Sequence, residues 1–446
     1  MKQRIVSQLF VAVLILALVG CSPDVGLDTA SDPSQLIVIT NGLVITATGS
    51  EPIPNGVVVI EGDRILYADD EAGFSIPVGA QIYDANHGTI LPGFIDAHTH
   101  GTADPSVRRS FLVGGVTTTC DLGTPLSEME PFALADDGQD PVARGIHAGP
   151  ILTAPGGLPD AVLGTNLNYE VATPAEGRAA VEYLFLQGVN QIKVYLQNES
   201  NGISYPMLDE ATLGAIVEEA HARDLLVRAH VTYATLLEMA VTAGVDTIEH
   251  VPANIPQAEQ EPIDEDLMRR MMESSDPIDL LLSERSPEYA ALLREMAETG
   301  IIMVPTLDRP YGNFFRSSSL TQEDRFSLEI ILGIVGKFHE MGGAVGLGTD
   351  FNIGTSILAG MPIGEMEMLL AAGLTPMEII ESGTRIAALA CGQGSTLGTL
   401  EQGKLADVIV VDGNPLEDLT VMGHVILVFK DGEVAYASHA SAATDE

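Results

Sequence analysis

A chain of 446 residues can hold a barrel of roughly 250–300 residues plus a smaller domain. It carries 62 Asp and Glu against 21 Lys and Arg, a formal net charge of −41. A field of that sign repels phosphate backbones and argues against a nucleic-acid partner. It fits a solubility adaptation better than a surface made for a cationic partner.

Residues 1–21 read MKQRIVSQLFVAVLILALVGC, with Lys2 and Arg4 ahead of an apolar run from Leu9 to Val19. That run is too short to span a bilayer and has the layout of a secretory signal. Leu18-Val19-Gly20-Cys21 is similar to the lipobox of bacterial lipoproteins, which implies a signal peptide over 1–20 and a lipidated Cys21; ordinary cleavage near a chance cysteine is the alternative. Residues 21–34 are polar and rich in Asp, Ser and Pro, as a flexible tether should be. Ser22 after the cysteine implies sorting to the outer membrane, so the expected product is a periplasm-facing cell-envelope lipoprotein that meets the membrane only through its lipid. Only Cys120 and Cys391 remain in the mature chain, which implies no disulfide framework.

From residue 35 to 91, short β-branched runs alternate with turn signals at Gly42, Asn55-Gly56 and Gly62-Asp63. The same texture returns over 397–437, so both ends are expected to build one composite β-sandwich. Residues 92–396 alternate apolar strands with amphipathic helices, the pattern of a parallel α/β fold. Strands are expected at FIDAH, 116–122, 151–154, 191–196, 225–230, 246–250, 301–307 and 344–350. Eight strands with intervening helices point to a (β/α)8 TIM barrel, whose functional residues lie at the C-terminal strand ends.

The ligand-type residues sit at those ends. In LPGFIDAHTHG, His98 and His100 share one face of a strand because side chains alternate with period two. By themselves they are either half a metal site or two polar residues closing a strand. His230 ends the fifth strand, His250 the sixth and Asp350 the eighth. Lys193, one of five lysines in the chain, lies inside the apolar strand QIKVYL, where an ammonium must lose its proton or find a carboxylate.

With LPGFIDAHTHG, Lys193, the two strand-ending histidines and Asp350, and with GVTTTCDLG, AGVDTIEH, GLGTD and LGTLEQGKLADVIVVDGNPLED, the chain resembles the amidohydrolase superfamily. It looks nearest the branch of imidazolonepropionase and the prolidase-like dipeptidases. The resemblance implies two divalent metals, zinc by default with manganese, cobalt or iron as alternatives. His98, His100 and Asp350 would hold the more buried one, His230 and His250 the other, and an N6-carboxylated Lys193 would bridge them. It further implies a metal-bridging hydroxide as nucleophile and Asp350 as the catalytic base and then acid. The substrate would be a small molecule with an amide bond, such as a dipeptide or an N-acyl amino acid.

Some positions depart from that pattern. Thr119 and Cys120 replace the Val and Arg of a common TTVRD motif, Leu158 replaces a histidine after the Gly-Gly near strand three, and Tyr233 stands where deaminases carry a glutamate. Tyr233 and Arg309 are candidate substrate contacts, and Tyr195, Tyr311 and Arg316 also follow strand ends. Residues 255–300 exceed what a crossover needs and could form a lid or surface decoration. The rival readings are a mononuclear cyclic-amide hydrolase with an unmodified Lys193 and a non-catalytic ligand-binding lipoprotein. A homo-oligomer is open.

Overall fold

A computed structural model describes residues 33–134, 140–253 and 265–438. The expected signal segment, Cys21 and nearly all of the tether lie outside them. Among the described residues no helix is long and apolar enough to cross a membrane.

Both chain ends contribute to one eight-stranded sheet. Leu36–Val44 pairs with Ile53–Glu61 and, through its two halves, with Gln81–Asp84 and Thr89–Pro92. Thr89–Pro92 then pairs with Val408–Val411, which leads to Val425–Lys430 and Glu433–Ala437. The hydrogen bonding is continuous, so the two layers expected of a sandwich are two arms of a single sheet. They share a core: Ile39, Val58 and Ile60 cluster with Val408, Leu427 and Phe429, and Tyr83 meets Phe429 edge to face at 5.2 Å. The strands form because their β-branched residues suit a pleated, half-buried surface. Gly62, at φ 59°, makes the two-residue turn between Glu61 and Arg64.

The middle of the chain is α/β. Phe94–Thr99, Val116–Asp121 and Arg144–His147 form a parallel three-stranded sheet. Gln191–Leu196, Leu226–Val231, Thr247–Glu249 and Ile302–Val304 form a second parallel run, and Ile151–Thr153 flanks the first of these through a single pair, Val194 with Leu152. Asn190 N donates to His147 O at 2.9 Å, joining the two sheets on one side. On the other, the segment 344–351 bonds both neighbours: Gly346 N donates to Met303 O (2.8 Å), while Ala97 N donates to Leu347 O (3.0 Å) and Asp350 N to His98 O (2.8 Å). Helices separate the strands, and their starts are written in the sequence. Asp104-Pro105, Thr173-Pro174 and Thr375-Pro376 each supply a capping side chain followed by proline in the first turn.

One expectation needs correcting. Cys120 and Cys391 are joined by a disulfide, with Cα atoms 6.3 Å apart across 271 residues. Nothing in their spacing could show that the strand Val116–Asp121 lies against the end of the helix Ala387–Ala390. The long segment after the sixth strand is three helices in its described part, Glu265–Glu273, Pro277–Arg285 and Pro287–Thr299. Leu282, Tyr289, Leu293 and Met296 join the main core, and no described residue of 265–300 lines the cavity below. Residues 254–264 lie outside the described part.

Candidate metal centre

Five of the six ligand-type residues stand at or just past the C-terminal ends of strands or strand-like segments, with His98 and His100 sharing one, and Lys193 lies inside Gln191–Leu196. All six line one cavity of about 420 Å³. His98 is fully buried, and its Nδ1 lies 2.7 Å from Glu249 Oε2. That carboxylate accepts the Nδ1 proton and leaves the Nε2 lone pair facing inward. It faces His100 Nε2 at 3.3 Å and Asp350 Oδ1 at 3.6 Å; His100 Nε2 is itself 3.3 Å from Asp350 Oδ1. These three donors converge within 4.8 Å of one another.

The second pair is built the same way. Gln197 Nε2 donates to Glu199 O at 2.7 Å, so its Oε1 must accept, and His230 Nε2 sits 2.8 Å from it. His230 Nδ1 therefore presents its lone pair to His250 Nε2, 2.8 Å away. His250 Nδ1 is held by the Thr306 hydroxyl at 2.7 Å. Tyr195 stacks on His230, with ring centroids 3.8 Å apart and planes 12° from parallel, and keeps the imidazole from turning.

Lys193 Nζ is buried and has no hydrogen-bond partner among the described residues. Burial pushes its pKa down to about 8, and its charge acts on Glu249 and Asp350 as well as on His98, His230 and His250. It thus stands within electrostatic reach of both histidine groups. Burial holds His98 and His230 well below the usual imidazole range and brings His250 down to about 4, so all three are neutral ligands near pH 7. Burial alone would raise Asp350, but its hydrogen bond with His100 and the surrounding imidazoles outweigh that and hold the carboxyl well below the usual carboxylate range.

Two glycines make the close packing possible. A Cβ on Gly348 would lie 2.8 Å from His98 Cβ and 2.6 Å from Val304 Cγ1, and one on Gly123 would lie 3.0 Å from His100 Nδ1. Asp350 and His250 both take left-handed backbone conformations, φ 55° and 70°, uncommon for residues other than glycine and concentrated at functional sites.

Around the donors the walls are apolar: Ile151, Pro159, Leu163, Leu167, Val251 and Pro305. Arg309 lines the cavity and binds Asp350; Tyr195 and Tyr311 line it too. Tyr233 is not among the lining residues; its hydroxyl reaches Glu199 O at 3.5 Å. Arg316 also stays out, paired with Asp308. Reasoning from sequence missed Glu249, Arg228, Gln197 and Thr306, although a charged residue inside each of the apolar runs LLVRAH and DTIEH was a visible sign.

A model of the amidohydrolase family matches residues 89–435. The chain belongs to that family. It is a hydrolase acting on carbon–nitrogen bonds. Its relatives include the ochratoxinase of Aspergillus niger, 26% identical over 91% of this chain and 88% of that protein. Another is the 5-methylthioadenosine/S-adenosylhomocysteine deaminase of Symbiobacterium thermophilum, 24% identical over 90% of this chain and 94% of that enzyme. The Aspergillus niger ochratoxinase structure superposes with a TM-score of 0.71 at 23% identity, covering 90% of this chain and 96% of that one. A Xaa-Pro dipeptidase with bound methionine gives 0.67 at 23% identity over 90% and 100%. These folds imply a TIM barrel with a β-rich domain.

Proposed function

We propose that the chain is a binuclear metal-dependent hydrolase of amide bonds in small molecules, on a (β/α)8 barrel closed by the segment 344–351. The observation that carries this reading is the meeting of His98, His100, Lys193, His230, His250 and Asp350 in one cavity. Their donor atoms fit cations. The ring nitrogens His98 Nε2 and His100 Nε2, and His230 Nδ1 and His250 Nε2, face each other at hydrogen-bond distance, and the Lys193 amine is buried with no hydrogen-bond partner among the described residues. Carboxylation of Lys193, in which Nζ bonds to carbon dioxide and releases a proton, would turn that amine into an anionic oxygen donor between the two histidine groups.

Bound metals would supply Lewis acidity toward a carbonyl oxygen and lower the pKa of water. The protein's own groups do the rest. Asp350 takes a proton from the attacking water and delivers it to the departing nitrogen as the carbon–nitrogen bond breaks. Arg309 holds the Asp350 carboxylate from the mouth of the cavity. Pro159, Leu163, Leu167 and Val251 give the cavity an apolar wall that suits a substrate with an apolar half, such as a dipeptide or N-acyl amino acid. Asp350 is the one carboxylate among the described lining residues, which favours hydrolysis of an amide over deamination with a separate acidic proton shuttle.

A mononuclear reading draws on the compactness of His98, His100 and Asp350, which form a three-donor set by themselves. It predicts one metal per chain and a free Lys193 amine. A screen over dipeptides and N-acyl amino acids, run alongside metal analysis, tests both. Activity with one metal supports the mononuclear form, and metal-loaded protein inert to the whole panel overturns the hydrolase reading in favour of a ligand-binding lipoprotein. We further propose that Cys21 carries lipid and anchors the enzyme in the cell envelope; a Cys21→Ala chain that still partitions with membranes would sink that idea.

A further inference from the structure

Beneath the metal centre lies a charged group of which the account above uses one contact alone, that of Glu249 with His98. Arg228 and Glu249 are both fully buried, on neighbouring strands. Arg228 Nε donates to Glu249 Oε1 at 2.7 Å and Nη2 to Glu249 Oε2 at 3.1 Å. Glu249 Oε1 also accepts from the Thr247 hydroxyl. The remaining guanidinium donors reach across the interior: Nη2 to Ala97 O at 2.8 Å, and Nη1 to Ala390 O at 3.1 Å and Gln191 Oε1 at 3.2 Å.

Two of these contacts converge on His98. Glu249 holds the ring through Nδ1, and Arg228 holds the peptide just before it through Ala97 O. An unpaired buried arginine is strongly destabilising and a buried pair is at best neutral against apolar residues, so fold stability gives little reason to place a charged pair here. A ligating histidine gains more, because an acceptor on its second nitrogen fixes the tautomer and raises donor strength.

We propose that Arg228 and Glu249 form a buried positioning relay that fixes His98 for the metal held with His100 and Asp350. Glu249 also precedes His250 in the chain, so the relay ties the first metal's histidine to the strand end that supplies one member of the second pair. The inference rests on the metal-centre reading, and its test separates the two.

Metal-free full-length protein is titrated with Co²⁺ against a competing chelator and followed by visible absorption. The step belonging to the His98 site is identified as the one that His100→Ala abolishes. Glu249→Gln should weaken that step about 10–100-fold, the usual effect of losing such a partner, and leave the other step unchanged. Thr247→Val, a milder change, should weaken it less and in the same direction. Unaltered affinity in Glu249→Gln overturns the relay. So does equal weakening of both steps together with a lower unfolding temperature of the metal-free protein, the pattern of a merely structural role. Wild-type protein that takes up no Co²⁺ overturns the metal reading itself.

Discussion

Arg309 grips Asp350 twice: Nη1 lies 2.6 Å from Oδ1 and 3.0 Å from the main-chain carbonyl of the same residue. The carboxylate that must carry a proton is therefore aimed from the mouth as well as from the histidines below.

Asp350→Asn should lower kcat by about 10²–10⁴-fold with little change in KM, because the carboxylate acts in the transition state and not in ground-state binding. Steady-state kinetics on any substrate found by screening checks it. Arg309→Met should reduce kcat by a smaller factor, on the order of tenfold, as a residue acting through Asp350 would. A loss confined to KM would instead make Arg309 a direct substrate contact.

Gly348→Ala should disturb the centre without touching a ligand. The added methyl has no room between His98 and Val304, and overpacking of this kind costs about 1–3 kcal/mol. Denaturant unfolding should show that loss, and metal content should fall with it; an unaltered unfolding midpoint would show that the strands can separate freely.

Removing the buried cross-link between Cys120 and Cys391 should lower stability by about 2–4 kcal/mol. Peptide mapping without reductant should recover the two cysteines as one linked pair, and Cys391→Ser should unfold at lower temperature. Free thiols at both positions in protein purified from an oxidising compartment would contradict the structure.

Burial pushes Glu365 up to about 8, against the lowering effect of the Asp308 and Leu307 amides that it accepts from. The folded state thus keeps a proton that the unfolded chain gives up near 4.5. At this group the folded state binds more protons between those values, so its contribution to stability falls as pH rises from about 4.5 to about 8. Glu365→Gln should flatten that decline in urea unfolding across the same range. Asp96, raised to about 6 by burial, adds a smaller slope of the same sign that the variant keeps. An unchanged pH profile would mean that Glu365 ionises freely in the fold.

The ligands were legible because strand ends leave a mark: an apolar run stops at a histidine or aspartate, and parallel strands aim such ends at one mouth. Their supports were less so. Arg228 shares strand parity with His230, and Tyr195 shares it with Lys193, so alternation places both inward. Tyr233 lies past the strand end, at the head of a 3-10 turn, where that rule no longer applies. The partners of Glu249, Gln197 and Thr306 lie on other strands or beyond a strand end, and the partner of Cys120 lies 271 residues away. Only the three-dimensional order of the strands brings such pairs together. The short strand Arg144–His147 was missed because RGIH holds a single aliphatic residue and gives no periodic signal.

The most direct test of the centre is elemental analysis of purified wild-type protein beside Lys193→Ala, both prepared with bicarbonate present. The account predicts two divalent cations per wild-type chain and a loss of metal in the variant that short carboxylic acids partly restore. Equal metal content in the two proteins, or none in either, would contradict it.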